Sequence, residues 1–337
     1  MQHNPILAEV WRGDRVESQH RGRALVLDQH GNTVLSLGNT AELVFPRSAI
    51  KPLQAIPLVE SGAADTWGLS AAHLALACAS HNGEPLHTEL VCEILQRLAL
   101  TPDALVCGAD LPMFTASAHA LIRHGQAPGR EHHNCSGKHS GMLTLSKHMG
   151  WTLHDYNQYD HPAQQAWREV LSALCHVNAD ELPWDFDGCG IPALALPLEK
   201  LTRGFMAFAD PQTQAPARAE AIRRITAAIQ AHPMNIAGTD RCCTTVVAAS
   251  SGRVIVKTGA EGVFAGFIPD RKLSFTLKID DGAGRAAETA LGGLLAALTE
   301  PVATAPATQC FFNRSLQNSQ GKVVGKITPN TTVFATA

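Results

Sequence analysis

Both ends of the chain read as strand and its long middle reads as helix, and this order restricts the fold more than any other feature. Apolar or alternating stretches at Ala8–Trp11, Arg23–Leu27 and Thr33–Leu37 are separated by turn residues at Arg12-Gly13-Asp14 and His30-Gly31-Asn32. They predict a β-meander over residues 1–45. From about Ala49 to His232 the apolar positions fall at helical spacing, as in Leu90, Ile94, Leu95 and Leu98. Pro216–Ala231 predicts a helix opened by a first-turn proline, with Ile222, Ile225 and Ile229 turned inward. Strand texture returns at Thr245–Ala248, Arg253–Lys257, Val263–Ile268 and Leu273–Ile279. A small-residue helix at Gly284–Leu298, a linker loop at Pro301–Thr308 and a short strand near Lys322–Ile327 follow. Strands from both ends of a chain can share one antiparallel sheet covered by helices. The expected fold class is α/β in the α+β sense, an antiparallel sheet flanked by helices. Residues 1–45 and 240–337 form a sheet-and-helix subdomain, and 46–239 form a large, mainly helical insertion.

With 337 residues, 45% of them hydrophobic and 17% charged, the chain can bury a sizeable core and gives no case for disorder. A net charge of -3 supplies no field for nucleic acid or an anionic membrane. The N-terminal stretch lacks a basic segment followed by an apolar one, and no run approaches the roughly 18 apolar residues of a membrane span. The expectation is a cytoplasmic protein with neither a nucleic-acid nor a membrane partner. Its nine cysteines are odd in number and scattered, so they read as reduced, mostly buried thiols, with room for a metal site among them.

Three short motifs occur in order: Ser48-Ala49-Ile50-Lys51, Ser80-His81-Asn82 and Lys257-Thr258-Gly259. S-x-x-K, S-D-N and K-T-G in that sequence mark serine β-lactamases and penicillin-binding proteins. Each alone is weak, and Ser319-Gln320-Gly321-Lys322 is a decoy that falls after the K-T-G. The order is what gives the set its weight. Residues three apart on a helix share a face, so Lys51 can lie beside the Ser48 hydroxyl. Pro52 fits only a first helical turn, which places the helix start near Ser48 or Ala49. A helix start favours an alkoxide and disfavours a protonated lysine, and a second cation at Lys257 acts in the same direction. Lys51 is then expected to serve as a neutral base for a serine nucleophile. Ser80 and Asn82 follow an apolar run in a polar loop suited to relaying a proton. Thr258 and Gly259 allow close backbone approach along a strand edge.

A second constellation joins Asn134-Cys135-Ser136-Gly137-Lys138-His139 with Asp187-Gly188-Cys189-Gly190. Two thiols among turn residues, with histidines beside one and Asp187 beside the other, can hold a zinc ion. Donor chemistry alone favours His139 or Asp187 as the additional ligand.

Together these segments resemble the Rhizobium-type L-asparaginases. The likeness extends through Phe45–Pro52, Ala79–Glu84, His133–Gly141, Lys257–Gly262 and Lys278–Gly282, over nearly the whole chain. It implies a fold like that of serine β-lactamases, a homodimer, and hydrolysis of L-asparagine to L-aspartate and ammonia. It implies Ser48 with Lys51 and Ser80 with Lys257 as two Ser-Lys pairs, and zinc held by Cys135, Lys138 and Cys189. A lysine must first lose its proton to bind a metal. Arg47 is a candidate for the substrate carboxylate. Asp187 and His139 are candidates for its ammonium or a zinc-bound water, and His81, Asn82, Asn134, Thr258 and Gly259 complete the expected substrate site. His81 stands where the β-lactamase motif has Asp, which favours an asparaginase over a β-lactamase or peptidase. A non-catalytic zinc-binding protein is the other alternative. Glutamine differs from asparagine by one methylene, a preference worth about 1–3 kcal/mol.

Overall fold

Strands from both ends of the chain meet in one eight-stranded antiparallel sheet in the computed structural model, which describes residues 3–335. The strands are β1 (Ile6–Arg12), β2 (Arg15–Leu27), β3 (Thr33–Leu37), β4 (Ile255–Gly259), β5 (Val263–Ile268), β6 (Leu273–Ile279), β7 (Ser315–Gln317) and β8 (Val323–Pro329). Their order is β7-β8-β1-β2-β6-β5-β4, with β3 pairing to β2. The long β2 serves two neighbourhoods. Its first half pairs with β1, Glu9 opposite Gln19, and its second half pairs with β6, Thr276 opposite Leu25. The chain divides into two compact units: one runs to Ala49 and includes Ala195–Asp210 and the residues from Thr245, and the other takes Ile50–Leu194 and Pro211–Thr244.

In the first unit the helix Leu198–Ala209 packs on β2, β5 and β6, and the helix Gly284–Ala297 packs on β1, β6 and β8. Phe205, Phe208 and Phe267 stack at the first of these contacts. Each ring is fully buried, which stabilises the packing by about 1.5–3 kcal/mol per side chain. Thr202 and Thr276 share a hydroxyl hydrogen bond across the same contact, so its few polar groups are satisfied.

The second unit is built around the helix Ser136–His148, buried at every residue from Ser136 to Ser146. A helix this polar can be buried because its hydroxyls bond back to the preceding turn: Ser140 to the Ser136 carbonyl, Thr144 to that of Ser140. Gly137 makes the close approach to a neighbouring helix. A Cβ there would lie 2.4 Å from the Leu76 carbonyl oxygen, so only glycine fits. Around it stand the helices Ala71–Ala77 and Pro85–Arg97.

Two expectations change. Thr245–Ala248 is not a strand but part of the helix Cys242–Ala249. Its β-branched residues favour strand only weakly, and Cys243, Val246 and Val247 are buried at helical spacing, which decides the matter. Pro301–Thr308 is no loose linker either. It forms two 3₁₀ turns with Val302, Ala303 and Thr308 buried.

Candidate active site

In the first unit, Ser48 lies in a 3₁₀ turn, Arg47–Ile50, that runs directly into the helix Lys51–Gln54 with Pro52 in its first turn. Arg47 takes a left-handed φ of 51°, a conformation that costs a side-chain-bearing residue about 1–2 kcal/mol. Strain of this kind is characteristic of functional turns. The edge Lys257-Thr258-Gly259 lies against it: a Cβ on Gly259 would fall 2.2 Å from the Pro46 carbonyl oxygen and 3.2 Å from the Ala49 nitrogen. Lys257 is buried and donates to the Thr258 carbonyl at 2.8 Å. The stretch that carries Ser48 therefore meets the Lys257-Thr258-Gly259 motif within this unit.

The second unit holds the rest. Lys51 is 1% exposed, and its ammonium donates to the Ala79 carbonyl, to Ser80 Oγ at 3.1 Å and to Cys135 Sγ at 3.1 Å. The Ser80-His81-Asn82 segment is fixed on both sides by its backbone. Ser80 and Asn82 donate to the Ile236 and Ala237 carbonyls, and His81 donates to that of Asn134. His81 is wholly buried. Its Nε2 donates to Ser136 Oγ at 2.8 Å, since that hydroxyl already donates to the Glu131 carbonyl, and its Nδ1 accepts from Gly83. Burial, with His87 stacked on it, pushes its pKa well down, so the ring is neutral.

The thiols Cys135 and Cys189 come together beside Lys138. The hydrogen bond from Cys189, with Lys51 and Lys138 nearby, outweighs burial and holds the Cys135 thiol well below its usual range. Cys189 is pushed up in turn, by that same bond and by burial. Lys138 donates to Cys189 Sγ at 2.9 Å. Burial alone would lower its pKa, but the two sulfurs reverse this and keep the amine charged. Asn134 Oδ1 lies 3.0 Å from Cys135 Sγ. His139, fully buried and driven neutral by burial and by Lys138, bonds through Nδ1 to Tyr156 Oη at 2.7 Å. The Tyr156 oxygen also accepts from the Val106 N–H, so its own proton goes to His139. That leaves His139 Nε2–H as a buried donor with no partner among the described residues. Asp187 turns its carboxylate to the Gly188 N–H at 2.6 Å.

No group of three or more His, Cys, Asp or Glu side chains suited to a metal is present among the described residues. The two sulfurs and the Lys138 amine nevertheless form a convergent S, S, N donor set that would fit zinc on loss of the Cys189 and Lys138 protons.

Sequence reading passed over Arg241, Glu84 and Thr239. Arg241 donates to Asn82 Oδ1 at 2.8 Å and to the Ser80 carbonyl at 3.3 Å. Glu84 accepts from the Thr239 backbone at 2.8 Å, its hydroxyl at 2.6 Å and Asn82 at 3.2 Å. Its place beside Ser80-His81-Asn82 was one signal; Arg241, in the turn-rich Gly238–Arg241 segment, had none stronger than its polarity.

A buried lysine amine in hydrogen-bond reach of a serine hydroxyl is chemistry that amide hydrolysis can use. The profile of the L-asparaginase II family matches residues 8–329, and the chain belongs to that family: it is an L-asparaginase. No curated relative matches the sequence. Among solved structures the chain is similar to a candidate β-lactamase from Bacteroides dorei, at 11% identity and a TM-score of 0.42, covering 77% of this chain and 84% of that one. It is similar to a β-lactamase from Mycobacterium bovis at 15% identity and 0.37, covering 79% and 89%. It is also similar to the simvastatin synthase of Aspergillus terreus at 10% and 0.39, covering 86% and 93%. Likenesses this distant carry no argument here. Among the described residues no helix is long and apolar enough to cross a membrane.

Proposed function

We propose that the chain hydrolyses L-asparagine through a serine ester, with Ser48 as nucleophile and Lys51 as its base. Ser48 Oγ attacks the side-chain amide carbon and its proton passes to Lys51. Ammonia leaves with that proton, and water then cleaves the aspartyl ester to release L-aspartate. The observation that carries this reading is the buried Lys51 amine in hydrogen-bond reach of Ser80 Oγ and Cys135 Sγ. Three acceptors match the three protons of an ammonium, so Lys51 has to hand one proton on before it can take another. Ser80 and the Cys135 sulfur are the groups in reach to receive it. Ser80 with Lys257 forms the second pair of this proposal and assists the water. Arg47, held in its strained turn, recognises the substrate carboxylate, and His139 Nε2–H meets a substrate or water oxygen.

Cys135, Lys138 and Cys189 would hold zinc, and a bound ion would supply a fixed positive charge in the buried cluster that also holds Lys51. A homodimer in the cytoplasm completes the proposal, on the strength of the family resemblance. The test is ammonia release from asparagine by Ser48→Ala, with rapid quenching and peptide mass analysis to find the aspartyl adduct. The substitution is expected to abolish both turnover and adduct. Near-normal turnover, or an adduct on another residue, refutes the assignment. About one zinc per chain by elemental analysis, lost from Cys135→Ser, checks the metal set.

A further inference from the structure

A second binding site lies at the sheet edge of the first unit, where β3 passes under the start of the helix Leu198–Ala209. The cavity there has a volume of about 250 Å³. Leu25 and Leu27 form its floor. Ser36 and Thr33 stand directly opposite them in the β2–β3 register, so all four side chains share one face of the sheet. Lys200 and Arg203, three apart on the helix and hence on one side of it, lean over this floor, and Glu199 lines it as well. The Glu199 N–H donates to the Thr40 carbonyl at 3.0 Å, which ties the helix start to the loop after β3. The Arg203 guanidinium rests 3.4 Å from where a side chain on Gly31 would begin.

Polar groups lining a cleft usually pair with one another; these do not. Among the described residues neither Lys200 nor Arg203 has an ion-pair or hydrogen-bond partner, although Glu199 lies one turn from Arg203. The exposed hydroxyls of Thr33 and Ser36 likewise make no hydrogen bond to protein among the described residues. Two cations, one carboxylate and adjacent hydroxyls over an apolar floor are the charge complement of a small molecule with two carboxylates and one ammonium.

We propose that this cleft binds an acidic amino acid of the L-aspartate type. Its two carboxylates pair with Lys200 and Arg203, and its ammonium pairs with Glu199. Arg203 offers a fork that a carboxylate can fill with two parallel hydrogen bonds. Aspartate is also the product of the asparaginase reaction, so the site gives the enzyme a means to sense what it makes. That sensing role rests on the family's activity, whereas the binding itself does not depend on the serine chemistry.

Leucine-methyl NMR of the full chain reads the cleft directly, because Leu25 and Leu27 line it and the catalytic groups do not. The two signals are assigned with Leu25→Val and Leu27→Val. L-Aspartate is expected to shift both saturably, and Lys200→Gln with Arg203→Gln to weaken that binding about tenfold or more. Arg203→Lys alone keeps the cation and loses the fork, and is expected to weaken binding less than Arg203→Gln does, which separates lost charge from lost fold. Glu199→Gln is expected to remove the preference for aspartate over succinate, which lacks the ammonium. Absence of a saturable shift at both methyls overturns the proposal, as does equal binding by the double variant. Inorganic phosphate binding as well as aspartate, with no effect of Glu199→Gln, overturns the amino-acid assignment in favour of a simple anion site.

Discussion

Replacing Lys51 with Met removes an amine while keeping an unbranched side chain that fills the same space. Lys51 is buried, and its three donors serve the Ala79 carbonyl, Ser80 Oγ and Cys135 Sγ. All three acceptors belong to buried residues, so water cannot take the place of the ammonium. A hydrogen bond to a charged group contributes about 1.5–3 kcal/mol. Taking one charge out of a buried cluster costs roughly 3–5 kcal/mol. The three bonds share one donor and are not additive, and the Met stem regains some packing, so a stability loss of about 3 kcal/mol is expected. For a chain of this size that lowers Tm by roughly 5–10 °C. The effect on catalysis is larger. General-base catalysis contributes about 10²–10⁴-fold, and Ser80 loses the Lys51 hydrogen bond in the same step, so kcat/KM for asparagine is expected to fall about 10³-fold or more. Ammonia release is measured well below the melting transition, after circular dichroism has shown the variant folded. A folded Lys51→Met enzyme working within about tenfold of wild type would refute the role of Lys51 in proton transfer. An unchanged Tm would refute the three contacts. Lys51→Arg is expected to fail as well, because a planar fork cannot reproduce three bonds from one nitrogen.

Two further substitutions probe the frame around Ser80. Burial raises the Glu84 carboxyl, but hydrogen bonds from Thr239 and Asn82 outweigh it and hold the group below its ordinary value. Its stabilising contribution is therefore complete above the unfolded-state value of about 4.3 and is lost as pH falls through the lower folded value. Thermal scans are expected to show Glu84→Gln less stable than wild type at neutral pH, with the gap closing in acid; a gap constant with pH would contradict the carboxylate's role. Gly137→Ala forces a Cβ to within 2.4 Å of the Leu76 oxygen. It is expected to cost about 1–3 kcal/mol in denaturant titration, and a neutral result would show that the two helices can separate.

The sheet was legible because its strands carry their own turn signals: the ranges read for β3, β5 and β6 match the observed ones. The helix Pro216–Ala231 was legible because a first-turn proline and one isoleucine stripe mark its start and its buried face. Thr245–Ala248 misled because four residues of β-branched and small character cannot report which neighbours bury them. In the candidate site, motif order singled out Ser48, Lys51, Ser80 and Lys257, and a second constellation singled out the two thiols. What the sequence could not supply was pairing. Spacing suggested that Lys51 attends Ser48, three residues away; the hydrogen bonds of Lys51 run to Ser80 and Cys135, 29 and 84 residues along the chain. Contacts of that separation come from packing, which local pattern does not encode.

That pairing changes how the two expected constellations relate. The serine motifs and the thiols were separate readings, one for acyl transfer and one for a metal, yet one amine bonds to both. Any charge gained or lost at Cys135 acts on Lys51 at 3.1 Å, in a buried setting where screening is weak. A cation on the thiols would compete with the Lys51 ammonium for the charge on the Cys135 sulfur. In this arrangement a metal held at the thiols would act on the Lys51 amine through the Cys135 sulfur, with no need to touch substrate.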